Sequence, residues 1–215
     1  MRWGMVIDLK KCTGCYACTV ACKEEHFLPP GIFWNRVLMI HKGEYPSVTK
    51  EILPILCNHC AEAACVDVCP TGASNRREDG IVLVDSDICV GCRACVIACP
   101  YQHRSYFKAY TPYFGEEGYT PPEKLGRRLY PLEEGTAVKC NFCVERVEEG
   151  QNKGMTPGID HDATPECVNA CPTKARTFGD LDDPNSEVSM LIREKKGTPL
   201  LPEFGTDPSV YYLRY

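Results

Sequence analysis

Cys89-Val90-Gly91-Cys92-Arg93-Ala94-Cys95-Val96-Ile97-Ala98-Cys99-Pro100 sets four thiols in a C-x2-C-x2-C-x3-C run and closes it with proline. The same spacing recurs at Cys12, Cys15, Cys18 and Cys22, followed there by Lys23. A third group holds Cys57, Cys60, Cys65 and Cys69, closed by Pro70, and a fourth holds Cys140, Cys143, Cys167 and Cys171, closed by Pro172. All 16 cysteines of the 215-residue chain fall in these four groups. A proline after the last thiol ends a short helix and turns the chain away.

Position decides what these thiols do. A disulfide framework ties distant segments together and needs an oxidising compartment. A structural zinc site wants two C-x2-C pairs. Three closely spaced thiols with an offset fourth are instead the bacterial run for [4Fe–4S] clusters, in which the fourth Cys ligates a different cluster. One tight loop reaches three corners of a cubane, and the x3 offset, one helical turn, carries the last thiol away. Four groups of four therefore predict iron–sulfur clusters. Each oxidised cubane with its thiolates nets about −2, so four would take the chain from −5 to about −13. Backbone N–H groups in the cysteine loops are the natural partners of that charge, which favours the small residues Gly14, Ala17, Gly91, Ala94 and Ala98.

The remaining composition bounds the answer. Apolar residues at 44% and charged residues at 25% fit a folded globular chain. Acidic side chains outnumber basic ones, 29 to 24, so nucleic acid is not expected as a partner. With 17 Gly and 17 Pro, much of the chain is turn and loop, against a long-helix bundle or a large α/β domain. No stretch approaches the roughly 18 apolar residues of a membrane span, so no direct insertion is expected. Met1 to Asp8 carries one basic residue and an apolar run broken by Asp8, and the Arg76-Arg77 and Arg127-Arg128 pairs are internal. A cytoplasmic location is expected, with co-export on a signal-bearing partner as the alternative.

The four groups form an internal repeat. Ile81-Val82-Leu83-Val84, after an Asp79-Gly80 turn, reads as a strand before group three, and Trp3 to Leu9 as a strand before group one. Each unit is strand, cluster loop, short helix. Groups two and three pair as one compact module, leaving one and four as a module split in sequence. The alternative, pairing one with two and three with four, is also open to the spacing.

Several motifs carry a specific resemblance: Met5-Val6-Ile7-Asp8, Cys57-Asn58-His59-Cys60, Cys69-Pro70-Thr71-Gly72-Ala73, Lys139-Cys140-Asn141-Phe142-Cys143 and Phe178-Gly179-Asp180-Leu181-Asp182-Asp183-Pro184. From Met5 to about Ser189 the chain resembles the four-cluster iron–sulfur subunits of the dimethyl-sulfoxide-reductase family of molybdenum and tungsten enzymes. The resemblance implies an α+β fold of two bacterial-ferredoxin-like modules, one inserted in the other, with small strands and short helices around four clusters. Residues 1–48 and 105–185 would make the outer module, 49–104 the inner one, and 186–215 a helix and docking tail. It further implies four [4Fe–4S] clusters: Cys12, Cys15, Cys18 and Cys171, nearest the catalytic subunit; Cys22, Cys140, Cys143 and Cys167; Cys57, Cys60, Cys65 and Cys99; and Cys69, Cys89, Cys92 and Cys95. Some relatives replace a group-three cysteine and carry a three-iron cluster, whereas this chain keeps all sixteen.

The same resemblance implies a non-catalytic subunit that relays single electrons. Its partner would be a large catalytic subunit holding a molybdenum or tungsten bis-pterin, with a membrane anchor subunit or a soluble carrier beyond. Arsenate, a sulfur oxyanion or polysulfide, and an aromatic compound are the candidate substrates. Arg2-Trp3-Gly4 and Phe204-Gly205-Thr206-Asp207-Pro208 look most like the arsenate- and phenylacetyl-CoA-type subunits. The rival readings are a free polyferredoxin carrier, a subunit of a hydrogenase or formate complex, and, in another class, a zinc scaffold. No nucleophile–base set and no phosphate loop appears, so no catalytic residue is assigned.

Other residues have quieter readings. Lys10, Lys11, Lys23, Arg93, Lys139, Lys174 and Arg176 flank cysteines and read as a solvated basic face, the sharper alternative being adjustment of cluster potential. His59 lies between two ligands but faces a full set of thiolates, so it is not a ligand. His26, His41, His103 and His161 read as surface or packing residues. The segment 101–139 is rich in aromatics (Tyr101, Tyr106, Phe107, Tyr110, Tyr113, Phe114, Tyr119, Tyr130) and is kept irregular by Pro112, Pro121 and Pro122. It reads as a docking surface or as a cover over the clusters. Asp183 and Pro184 look like the start of a helix with a Val188, Leu191 and Ile192 stripe, ended by Gly197. Tyr211, Tyr212 and Tyr215 should dock on the partner or on the chain's own body.

Overall fold

The computed structural model describes residues 1–214. The chain begins with β1 (Trp3–Asp8), the first cysteine loop and α1 (Ala17–Glu25), then a hairpin of β2 (Asn35–Lys42) and β3 (Thr49–Leu56). Next come α2 (Ala64–Asp67), a small hairpin of β4 (Ser74–Arg76) and β5 (Val82–Val84), and α3 (Ala94–Ala98). A third hairpin, β6 (Ser105–Phe107) with β7 (Thr136–Val138), brackets α4 (Pro121–Leu129). The last part holds α5 (Val144–Asn152), α6 (Glu166–Asn169), β8 (Arg176–Asp180), α7 (Glu187–Glu194), β9 (Thr198–Pro199) and β10 (Val210–Leu213). Among the described residues no helix is long and apolar enough to cross a membrane.

β1 is the organising strand because it is buried on both faces. Its side chains alternate. Trp3, Met5 and Ile7 enter the main core with Phe178, Val210 and Tyr212, while Val6 enters a second cluster with Val188 and Leu213. β8 pairs with it antiparallel, Met5 opposite Phe178, and β10 pairs with it parallel, Met5 opposite Val210. The sheet order is β8-β1-β10-β9. The chain's beginning, its end and the strand after group four therefore share one sheet.

The C-terminal tail docks on the chain's own body. Tyr212 is fully buried and its hydroxyl donates to the Pro54 carbonyl at 3.0 Å. Tyr215 lies outside the described residues. α7 starts three residues later than expected, because Asp183 accepts from the Asn185 N–H and forms a turn of its own. Ser186 is the cap, accepting from the Ser189 N–H. Gly197 does close the helix, donating to the Ile192 carbonyl at 2.9 Å, but Lys196 takes the left-handed position with φ 50°.

The segments at 35–56 and 101–139 have more regular structure than their composition suggests. β2 and β3 are paired over eight positions, Asn35 opposite Leu56 through Lys42 opposite Thr49, so a division at 48/49 falls in the turn of one hairpin. Pro121 and Pro122 do not keep their segment irregular. They start α4, where a missing N–H costs nothing, and Thr120 and Glu123 cap it reciprocally. Of the eight aromatics between 101 and 130, only Tyr113 and Phe114 are exposed, so this segment mainly covers the molecule.

Candidate iron–sulfur centres

The cysteine loops repeat in conformation as well as in sequence. Gly14 and Gly91 sit at φ 72° and 65°, and Tyr16 and Arg93, two residues on, at 62° and 65°. Tyr16 and Arg93 are the caps from which α1 and α3 start. Groups two and four share another device. His59 in Cys57-Asn58-His59-Cys60 has φ 43°, and Phe142 in Cys140-Asn141-Phe142-Cys143 has φ 58°. Their rings stack on each other, with centroids 3.8 Å apart. Left-handed non-glycine residues cost on the order of 1–3 kcal/mol each and gather at ligand clamps. Here they bend the N–H groups into concave cradles that suit an anion.

The folded chain brings the sulfurs together across the sequence. Cys12, Cys15, Cys18 and Cys171 line one cavity. Cys69, Cys89, Cys92 and Cys95 line another. Cys22, Cys140, Cys143 and Cys167 are mutual electrostatic neighbours, and all four are buried. Cys57, Cys60, Cys65 and Cys99 are neighbours in the same way and form the remaining set. Among the described residues, no three His, Cys, Asp or Glu side chains converge on a point that would hold a single ion. Two of the thiol sets line a cavity, the arrangement a cubane needs.

The sets follow one another. Cys18 and Cys22 lie four apart on α1, joining the first set to the buried one. Of its charged neighbours Cys140 feels Cys57 most strongly, which joins the buried set to the third. Cys65 to Cys69 and Cys95 to Cys99 join the third to the last along and beyond α2 and α3. The end sets reach the surface, where Cys15 and Cys92 are exposed.

As bare thiols, several of the most buried of these groups resist ionisation. Burial, then the neighbouring Cys57, pushes Cys60 and Cys140 up to about 12. Burial likewise raises Cys22 and Cys143 well above the usual thiol range. Cys69 and Cys171 are exceptions, Cys171 being lowered despite its burial by hydrogen bonds led by the Ala175 N–H; Cys69 moves further. Its modest burial is outweighed by hydrogen bonds led by the Ser74 N–H, which bring it down to about 7. Metal loading must expel these protons, as ligand thiols bind only as thiolates.

Two residues expected on a solvated face are buried. Arg176 is 4% exposed. Its Nη2 lies 3.5 Å from Cys18 Sγ and donates to Asn35 Oδ1, and its Nη1 lies 3.8 Å from Cys167 Sγ. Lys139, also 4% exposed, donates from Nζ to the carbonyls of Val82 and Cys140. Lys10, Lys11, Arg93 and Lys174 are exposed as expected, although Arg93 lies over the Tyr106 ring at 3.8 Å. Lys23 is half-buried, donating to the Pro29 and Ile32 carbonyls.

Arg104, which the cysteine spacing alone does not mark, is equally buried. It donates to Ser74 Oγ at 2.6 Å, and its Nε and Nη2 have no partner. A signal for it exists in the sequence. Arg104 stands five residues after Cys99-Pro100, as Arg176 does after Cys171-Pro172, with a left-handed residue between at Gln102 and Lys174. Ser74 holds the same offset from Cys69-Pro70. Among the described residues no Asp or Glu is buried, so no buried carboxylate balances these cations. An uncompensated buried ion costs several kcal/mol. Anionic clusters in the adjoining cavities remove that cost, so the residues present fit the group.

The histidines divide. His59 is fully buried, its Nδ1 accepting from the Val82 N–H, and burial holds it well below the usual imidazole range. His26 does more than pack. Its Nε2 is 3.3 Å from Cys143 Sγ, its ring lies against Trp34 and Tyr130, and burial lowers it to about 3. His103 is buried, and His41 and His161 are exposed.

Comparison with known proteins agrees with this chemistry. A 4Fe-4S dicluster domain matches residues 48–111, and a 4Fe-4S binding domain matches residues 3–24. The iron–sulfur subunit of arsenate respiratory reductase from Shewanella sp. strain ANA-3 is 41% identical over the whole chain and 97% of its own length. A selenate reductase subunit from Mesobacillus selenatarsenatis is 40% identical over 99% of the chain and 72% of its own length. A tetrathionate reductase subunit from Salmonella typhimurium is 38% identical, with 99% of the chain and 72% of its own length covered.

Proposed function

The chain belongs to the iron–sulfur electron-transfer subunits of the dimethyl-sulfoxide-reductase family, and from that premise we propose a relay of four [4Fe–4S] clusters in single file. It is a non-catalytic component of a reductase complex and carries multiple 4Fe–4S clusters. The proposed ligand sets are Cys12, Cys15, Cys18 and Cys171; Cys22, Cys140, Cys143 and Cys167; Cys57, Cys60, Cys65 and Cys99; and Cys69, Cys89, Cys92 and Cys95. The observation that carries this reading is the grouping of the sixteen sulfurs into four successive sets, the second fully buried and the first and last each with one exposed cysteine. Such clusters supply one-electron transfer without proton chemistry of the protein's own. The chain's residues hold them, exclude water and place two exits at opposite ends of the series.

Groups one and four form the outer ferredoxin-like module in this reading, and groups two and three the inserted one. The first ligand set faces the catalytic subunit, which holds molybdenum or tungsten on a bis-pterin. A membrane anchor subunit or a soluble carrier meets the other end. The complex works in the cytoplasm or is co-exported on its partner's signal. Its substrate is an oxyanion of the arsenate, selenate or tetrathionate kind, supported by the names of the relatives.

Anoxic affinity purification from the native host, with metal analysis and mass spectrometry, tests this. The expected result is iron at cluster level together with a large co-purifying subunit containing molybdenum or tungsten. Iron without a second chain or heavy metal would indicate a free carrier instead.

A further inference from the structure

Arg176, Lys139 and Arg104 stand at three different places in the series, and each has cysteines of two sets as neighbours. Arg176 touches Cys18 of the first set and Cys167 of the second. Lys139 lies beside Cys140 of the second set and Cys57 and Cys65 of the third. Arg104 lies beside Cys65 and Cys57 of the third set and Cys95 of the fourth. Each junction between successive sets thus holds one buried cation. None forms an ion pair with a carboxylate, and no carboxylate is buried among the described residues. Neutral acceptors hold them in place: Asn35 fixes the Arg176 guanidinium, two carbonyls fix the Lys139 ammonium, and Ser74 fixes Arg104.

We propose that these three residues are a built-in ladder of fixed positive charges, one per junction, that raises the potential of both clusters flanking each rung. This rests on the four-cluster reading above. Reduction adds one electron to a cluster that is already anionic, so a nearby cation favours the reduced form. The same cation stands between two such clusters and offsets their mutual repulsion when both are reduced. At a surface, water would screen that repulsion; in these buried junctions, side-chain charge does so. The residues are positioning residues. They accept no electron and ligate no iron.

The ladder makes a specific prediction because its end rungs share no cluster. In the assembled, anoxically purified complex, Arg176→Met should lower the potentials of two of the four clusters. Arg104→Met should lower those of the other two. Each shift should reach at least tenfold in the reduction equilibrium, about 59 mV for a one-electron couple. Arg176→Lys, which keeps the charge, should restore most of the wild-type value. The readout is a redox titration followed by electron paramagnetic resonance, with iron content measured on each sample.

Unchanged potentials at full iron content would overturn the ladder, as would the same shift of all four clusters in both variants. Should Arg176→Met fail to retain iron, recovery of iron and potentials in Arg176→Lys supports a charge role, and failure of both variants overturns it in favour of shape. Wild-type protein that holds zinc, or too little iron for four clusters, would refute the underlying reading before any variant is compared.

Discussion

Gly91 shows how closely the cysteine loops are built. A Cβ there would lie 2.1 Å from the Gly135 carbonyl oxygen, a backbone atom that cannot swing aside. Gly14 occupies the equivalent place, but its Cβ would meet only the side-chain ends of Met39 and Ile52, at 3.1 Å or more. Both have φ values that L side chains rarely adopt. Gly14→Ala should therefore cost about 1–2 kcal/mol, the left-handed penalty alone, and keep full iron. Gly91→Ala should lose the cluster held by Cys89 and Cys92. Iron analysis and thermal melting of the two variants check this contrast, and equal iron loss would refute it. At this scale the cysteines are legible because ligand spacing is a property of local sequence. The burial of Arg176 and Lys139 is not, since a cation beside a cysteine looks the same whether the facing surface is water or another cysteine set. Arg104 is visible only as a repeated offset from Cys-Pro.

The elements that seal the molecule are its ends. β1 takes β8 on one side and β10 on the other, and α7 covers the second face of β1 and β10 through Val188 against Val6 and Leu213. Strand β1 is legible from its apolar run. β10 is not, because a Pro-rich tail has no periodicity until a neighbour supplies its pairing. The aromatic segment misleads for a similar reason, as Pro121 and Pro122 would break a helix interior but open a helix at its first turn. Two variants measure the seal. Tyr212→Phe removes a buried donor to the Pro54 carbonyl and should cost about 1 kcal/mol, or somewhat more for the acceptor left unpaired. Ser186→Ala removes the α7 cap and should cost about 1 kcal/mol. Denaturant unfolding of the holo-protein under anoxic conditions reads both. A shift beyond about 3 kcal/mol for either would mean that the tail does more than close a sheet.

At the scale of the whole molecule, the apolar core and the cysteine cavities interpenetrate. Cys18, Cys22, Cys140 and Cys167 belong to the same buried cluster as Trp3, Met5, Phe142 and Tyr212. Three buried cations have no buried carboxylate beside them among the described residues, and several buried thiols ionise only with difficulty. Metal binding is folding energy in such sites. Anoxic removal of iron should therefore unfold most of the chain, seen as loss of the far-UV dichroism of its helices and strands. A native-like spectrum after iron removal would show that the protein core suffices alone. The general architecture is legible because the four groups repeat. The way the sulfurs combine across groups is not, since it depends on which loops the sheet and hairpins bring face to face.

The most direct test of the account is the cluster count of the fully reduced chain. Iron and sulfide analysis with spin quantitation on the anoxically purified complex should give about sixteen iron atoms and about four reduced clusters per chain, four iron to each cubane. Iron for only two clusters, or zinc in place of iron, would contradict it.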